Sequence, residues 1–197
     1  MKIIGITSEL EGIEETSRIV EALDAGVSYI HLRKPYFTDD DMRKYIKNIP
    51  KEYYQRLTLA SNPALFKEFN LGGIHIKRAQ FSDSECHKGI RRSISCHSTD
   101  EVILHQGDDL DYMFLSPIFD SISKKGYSSH FSLDELGKLS ELGLLRKVVA
   151  LGGINCINTT QLREFDIYGV AVLGFLFGDI PSQEFKQRLN QLTSTIQ

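Results

Sequence analysis

The sequence predicts an α/β protein folded as one compact (β/α)8 TIM barrel over residues 1–197. Three observations predict it. Eight short apolar runs recur along the whole chain, and amphipathic, helix-like segments separate them. No linker, low-complexity tract or short repeat divides the chain. Alternating strands and helices imply parallel strands with helical crossovers. Eight strands close a barrel, with an open doubly wound sheet as the alternative. The chain has 197 residues, near the ~200-residue lower limit of this fold. Loops should therefore be short, with no inserted domain.

The runs are Ile3–Thr7, Tyr29–Leu32, Arg56–Ala60, Gly73–Ile76, Ser93–Cys96, Tyr112–Leu115, Lys147–Leu151 and Tyr168–Leu173. Most are β-branched or apolar and bounded by turn residues, as in strands buried on both faces. After the first, Ser17–Ala25 places Ile19, Val20, Ala22 and Leu23 on one side, and Gly26 ends the helix. Thr38 N-caps the next, with Asp41 three residues on as in a capping box. Asn62-Pro63 opens a third, with Pro at the tolerated first position. Phe81–Lys88 carries the weakest helical pattern of the chain, a helix or a single turn. Ser98-Thr99-Asp100-Glu101 starts another helix, and Ser132–Leu142, Asn158–Phe165 and Pro181–Leu192 complete the set.

Composition narrows the function. Hydrophobic residues make up 41% and charged residues 25%, with a net charge of −3. Such a chain folds, and no basic excess suggests nucleic acid or a membrane surface as partner. Cys86, Cys96 and Cys156 form no CxxC pair. Free thiols in a reducing cytoplasm are expected. No stretch approaches ~20 apolar residues, so a cytoplasmic location follows by default.

In a barrel of this kind, function gathers just after each strand. After the seventh run stand Leu151-Gly152-Gly153-Ile154, and after the eighth Val172-Leu173-Gly174. Glycines there let backbone N–H groups approach an anion, and these two loops are the recurrent phosphate site of such barrels. The plainer reading is that the Gly-Gly pair allows a tight turn. His31 and Arg33 share one face of the second strand, with Leu32 opposite. An inward Arg needs an anion, either a ligand or a neighbouring carboxylate such as Asp39 or Asp40. The longest strand-end loop follows the sixth run, with Ser121, Ser123, Lys124 and Lys125. Lys124 suits a phosphate; Lys125 reads as surface charge. His97 is a pocket candidate, His75 a satisfied core residue, and His87 and His105 surface residues. No His and carboxylate cluster suggests a metal site.

These segments resemble the thiamine phosphate synthase/TenI family across nearly the whole chain. The resemblance rests on Ala25-Gly26-Val27-Ser28-Tyr29-Ile30-His31-Leu32-Arg33, Leu71-Gly72-Gly73-Ile74-His75-Ile76, Asp111-Tyr112 through Lys124-Lys125-Gly126, Ala150-Leu151-Gly152-Gly153-Ile154 and Tyr168-Gly169-Val170-Ala171-Val172. It implies a (β/α)8 fold, a role in thiamine biosynthesis and thiazole phosphate as ligand. The synthase joins a pyrimidine diphosphate to thiazole phosphate and releases pyrophosphate. Its Gln-x-Arg-x-Lys reads His31, Arg33 and Pro35 here. Its Asn-Asp pair falls on Ala60 and Ser61, and its later Asp on Gln80, or on Asp83 in a shifted register. Lys124 matches the family lysine, and Gly152, Gly153 and Val172–Gly174 match the thiazole-phosphate loops.

The missing carboxylates weigh against Mg²⁺-assisted departure of a diphosphate. The reading therefore leans to a metal-free, TenI-like thiazole tautomerase, with no cofactor, or Mg²⁺ only for a true synthase. The histidine linked with proton transfer in that branch falls on Pro117. His31 or His97 is the expected proton carrier, together with Lys124 as a catalytic candidate. Arg33, Ser121, Ser123, Lys124, Gly152, Gly153, Val172, Leu173 and Gly174 are the expected substrate contacts. The synthase is the alternative, and a non-catalytic thiazole-phosphate-binding paralogue or a sugar-phosphate isomerase the further ones. A homo-oligomer is compatible with a small barrel, though no residue names an interface.

Overall fold

The computed structural model describes residues 1–12, 14–60, 63–76, 89–120 and 131–196. Eight parallel strands close into a barrel in sequence order. They are β1 Lys2–Ile6, β2 Tyr29–Leu32, β3 Leu57–Ala60, β4 Gly73–His75, β5 Arg91–Cys96, β6 Tyr112–Leu115, β7 Val148–Ala150 and β8 Gly169–Val172. Closure is explicit in the last pairing, where Lys2 lies opposite Gly169 and Gly5 opposite Val172. Gly169 permits that approach, because a Cβ there would stand 2.5 Å from the Lys2 carbonyl oxygen.

Helices connect the strands: α1 Glu15–Asp24, α2 Asp39–Lys47, α3 Pro63–Phe69, α4 Thr99–Leu104, α5 Leu133–Glu141, α6 Gly174–Phe177 and α7 Ser182–Ile196. The expected caps form. Thr38 and Asp41 exchange a capping box, as do Ser132 and Glu135, and Ser98 accepts from the Glu101 amide. Three acidic residues open α2 and Lys44 and Lys47 close it, matching the helix dipole at both ends. Gly26 follows α1 at φ 106°, a conformation that suits glycine. The helix expected over Asn158–Phe165 is a short 3-10 turn, Asn158–Leu162. The Asn155 side chain accepts from the Ile157 and Asn158 amides, and Thr159 bonds back to the Asn155 carbonyl. Those local bonds compete with α-helical continuation.

Period-two alternation divides the strand residues between two layers. Ile3, Ile30, Leu32, Leu59, Met113, Val148, Val170 and Val172 join the helices in an outer core. Ile4, Ile6, Tyr112, Phe114, Val149 and Ala171 fill the barrel, with Tyr29, Leu151, Tyr168 and Leu173 against them. At the N-terminal end the barrel is floored by rings. Tyr112 stacks on Tyr168 at 5.4 Å, and the Arg91 guanidinium lies 3.6 Å over Tyr29. These rings close that end, which leaves the C-terminal mouth as the place to look for a site. No helix among the described residues is long and apolar enough to cross a membrane. Cys96 and Cys156 are free thiols.

Candidate functional site

The mouth is built from the loops after the strands. Gly152 and Gly153 follow β7 with φ of 94° and 65°. A Cβ on Gly152 would stand 2.8 Å from the Pro117 backbone, and one on Gly153 would stand 2.5 Å from the Asp120 carbonyl oxygen. The strand-six and strand-seven loops are locked together there, with the Ile118 amide donating to Leu151 and the Phe119 amide to Gly152. These glycines therefore satisfy a loop-on-loop contact as well as a turn. The Gly153 carbonyl accepts from the Asn158 side-chain amide at 2.8 Å.

β8 lies beside β7, with Ala150 opposite Val170. Gly174 then opens the one-turn helix α6. The Leu176 and Phe177 amides both return to the Leu173 carbonyl. Phe177 holds α6 over β1, since a Cβ on Gly5 would meet its ring at 2.7 Å. The Val172 side chain is in the outer core, so only its backbone can face the mouth. Leu173 packs against the barrel interior.

His31 points into the barrel and is 3% exposed. Its Nε2 lies 2.6 Å from the Tyr112 hydroxyl, and its ring packs on Phe114 at 4.8 Å and on His75 at 5.5 Å. Burial first, then the neighbouring His75 and Arg91, pushes its pKa well below the usual imidazole value. His31 is therefore a neutral imidazole beneath the mouth. His75 bonds Ser93 at 2.9 Å and Ser95 at 3.1 Å, and burial lowers its pKa to about 4. His97 is the exposed imidazole of the rim, its Nδ1 3.3 Å from the Ser116 carbonyl oxygen. His105 is partly buried and paired with Asp108, not a free surface residue.

Arg33 stands at the end of β2, half-exposed, and its partner is Glu9 at 2.6 Å rather than Asp39 or Asp40. Tyr36 donates to the other Glu9 oxygen at 3.4 Å. The next residue, Lys34, is buried with Glu15, and Tyr45 donates to the same Glu15 oxygen at 2.6 Å. Burial lowers the Lys34 pKa against the opposing pull of Glu15. Lys34 also donates to the Ser8 and Leu10 carbonyls at 2.8 and 3.0 Å. Sequence reading missed Glu9, Lys34 and Glu15. The strand-end rule, applied to Thr7-Ser8-Glu9 after the first run, points at Glu9. Ser61, Gln80, Asp83, His87, Ser121, Ser123, Lys124 and Lys125 lie outside the described residues.

Comparison with known proteins matches this arrangement. A family model described as thiamine monophosphate synthase covers residues 3–176. A thiamine-phosphate synthase of Latilactobacillus sakei is 27% identical over 198 residues, covering 91% of this chain and 88% of the relative. One from Psychrobacter is 26% identical over 188 residues, covering 88% and 84%. The crystal structure of thiamine phosphate pyrophosphorylase from Bacteroides thetaiotaomicron superposes with a TM-score of 0.86 at 28% identity, covering 100% of this chain and 98% of that one. The enzyme of that name from Pyrococcus furiosus, at 18% identity and TM-score 0.79, shares the fold. An eight-stranded barrel whose strand-seven and strand-eight loops meet at one mouth, matched over residues 3–176, belongs to the thiamine monophosphate synthase (TMP-TENI) family.

Proposed function

We propose that this barrel joins a pyrimidine diphosphate to a thiazole phosphate and releases pyrophosphate. The observation that carries the reading is Arg33, a half-exposed guanidinium at the end of β2, where the family places its diphosphate-binding arginine. The names of the relatives support the synthase over the tautomerase to which the sequence leans. In this reading the thiazole phosphate rests on backbone N–H groups of the strand-seven and strand-eight loops. No side chain caps the start of α6, which leaves that end open to an anion in this reading. In the transfer, the bond from the pyrimidine methylene carbon to the diphosphate oxygen breaks. Its electron pair leaves on that oxygen, while the thiazole nitrogen supplies the new bond. Charge grows on the diphosphate, where the Arg33 fork can take two oxygens. Lys124, by resemblance, is a second cation for it.

Synthases of this family typically use Mg²⁺, held by carboxylates. The aligned positions here lack its carboxylates, save Asp83 in the shifted register. Ala60 ends β3 with a methyl group, and Ser61 and Gln80 are neutral. No group of three or more His, Cys, Asp or Glu could hold a metal among the described residues. On these residues, charge neutralisation falls to the cations.

That same donor set favours a second reading, metal-free tautomerisation of a thiazole phosphate carboxylate. Pro117 occupies the place of its proton-transfer histidine. Of the two expected proton carriers, His97 is then the reachable one, since His31 is buried. The test is incubation with pyrimidine diphosphate and thiazole phosphate, with Mg²⁺ or with EDTA, following pyrophosphate and thiamine phosphate. A parallel incubation with the thiazole phosphate carboxylate follows its ring protons. Equal release of both synthase products is expected. Ring isomerisation without pyrophosphate would replace the synthase reading with the second, and binding with neither reaction would leave a non-catalytic paralogue.

A further inference from the structure

We propose that Glu9 is an affinity-setting residue of the mouth, an internal carboxylate that competes with the ligand anion for the Arg33 fork. This rests on the reading that Arg33 receives the diphosphate. Glu9 Oε1 lies 2.6 Å from Arg33 Nη1, and Tyr36 holds the other oxygen. The loop presenting Glu9 is fixed from below. The buried Lys34 ammonium takes the carbonyls of Ser8 and Leu10, one residue to either side of Glu9. The Ser8 hydroxyl and amide both donate to Glu15. Glu9 is therefore carried on an anchored backbone, whereas most surface carboxylates are free to wander.

The pair itself is easily exchanged. Both side chains are nearly 40% exposed (39% for Arg33, 38% for Glu9), and ion pairs in water are weak. A ligand carboxylate would only replace like with like. A diphosphate brings more charge and more acceptor oxygens, so it gains from the exchange. Once displaced, Glu9 remains nearby as a like charge and opposes the bound anion. Both effects lower affinity, and both disappear when the carboxylate becomes an amide.

The experiment is calorimetric titration of inorganic pyrophosphate into the parent, Glu9→Gln, Arg33→Ala and the double variant at low salt. Glu9→Gln should bind roughly two- to fivefold tighter, the range of an exposed ion pair. The gain should vanish in the Arg33→Ala background and shrink at high salt. Glu9→Asp keeps the charge one methylene further back and should gain less. A gain in affinity cannot come from damaged folding, so this readout separates competition from a structural role. Equal or weaker binding by Glu9→Gln, with Arg33→Ala still impaired, overturns the role of Glu9 alone. Pyrophosphate binding by Arg33→Ala at parental strength overturns both this proposal and the assignment of Arg33.

Discussion

Arg33 and Lys34 are neighbours in sequence, each paired with a glutamate, yet they do opposite work. The Arg33–Glu9 pair is half in water, at 2.6 Å. The Lys34–Glu15 pair is dry, with side chains 0% and 3% exposed. Lys34 further faces the Tyr45 ring at 5.1 Å and the Phe37 ring at 5.8 Å. Water screens the first pair and makes it exchangeable, whereas the low dielectric around the second makes each partner indispensable to the other. One residue step along the chain thus separates the proposed ligand contact, Arg33, from an anchor. The anchor holds the loop that carries the carboxylate facing Arg33.

The largest expected effect comes from breaking the dry pair. Lys34→Met leaves Glu15 buried without its cation and should destabilise the fold by about 3–5 kcal/mol in urea unfolding. Lys34→Met with Glu15→Leu should recover most of that loss. A single variant that loses less than about 1 kcal/mol would mean that water already reaches the pair.

Acid probes the barrel interior beneath the mouth. His31 and His75 stay neutral in the fold, while the unfolded chain protonates each near its ordinary value of about 6.5. Below that pH the unfolded state binds more protons. Stability is therefore complete above about 6.5 and declines as pH falls toward the His75 value of about 4. His75 alone accounts for roughly 3 kcal/mol over that window. His75→Asn should make the profile shallower between those limits, with His31 keeping the remaining slope, and an unchanged profile would show that His75 already protonates normally in the fold.

Gly153→Val sharpens the comparison at the opposite side of the mouth. Its Cβ would meet the Phe119 and Asp120 carbonyl oxygens, at a positive φ. A loss of roughly 1–3 kcal/mol is expected from the strained backbone, along with weaker phosphate binding. Affinity lost without stability would instead make the glycine a pure ligand contact. The smallest stability change belongs to Arg33→Lys. Its unfolding free energy should stay within about 0.5 kcal/mol of the parent, while pyrophosphate affinity falls because Lys lacks the two-point fork.

The strands were legible because buried parallel strands need short apolar runs, and each run lies between turn residues. Legibility failed where a strand is polar. β5 begins at Arg91, two residues before the predicted Ser93, because Arg91 and Arg92 read as loop. Arg91 nonetheless belongs in the barrel, stacked on Tyr29 and donating to the Thr58 hydroxyl. In the site, alternation identified the shared face of His31 and Arg33. It could not show that a tyrosine 81 positions away would take His31. Lys34 was equally opaque, since its carboxylate comes from α1 and its aromatic wall from α2 and the turn before it. Such partners are set by which loops the closed barrel brings together, a property no local pattern encodes.

Pyrophosphate release by the parent and by Arg33→Ala, from pyrimidine diphosphate and thiazole phosphate, tests the central claim most directly. The account predicts release with matching thiamine phosphate from the parent. Arg33→Ala should lose about ten- to hundredfold in rate, the worth of a charge-assisted hydrogen bond, at an unchanged unfolding midpoint. Equal rates from the two proteins, or no pyrophosphate from the parent, would contradict it.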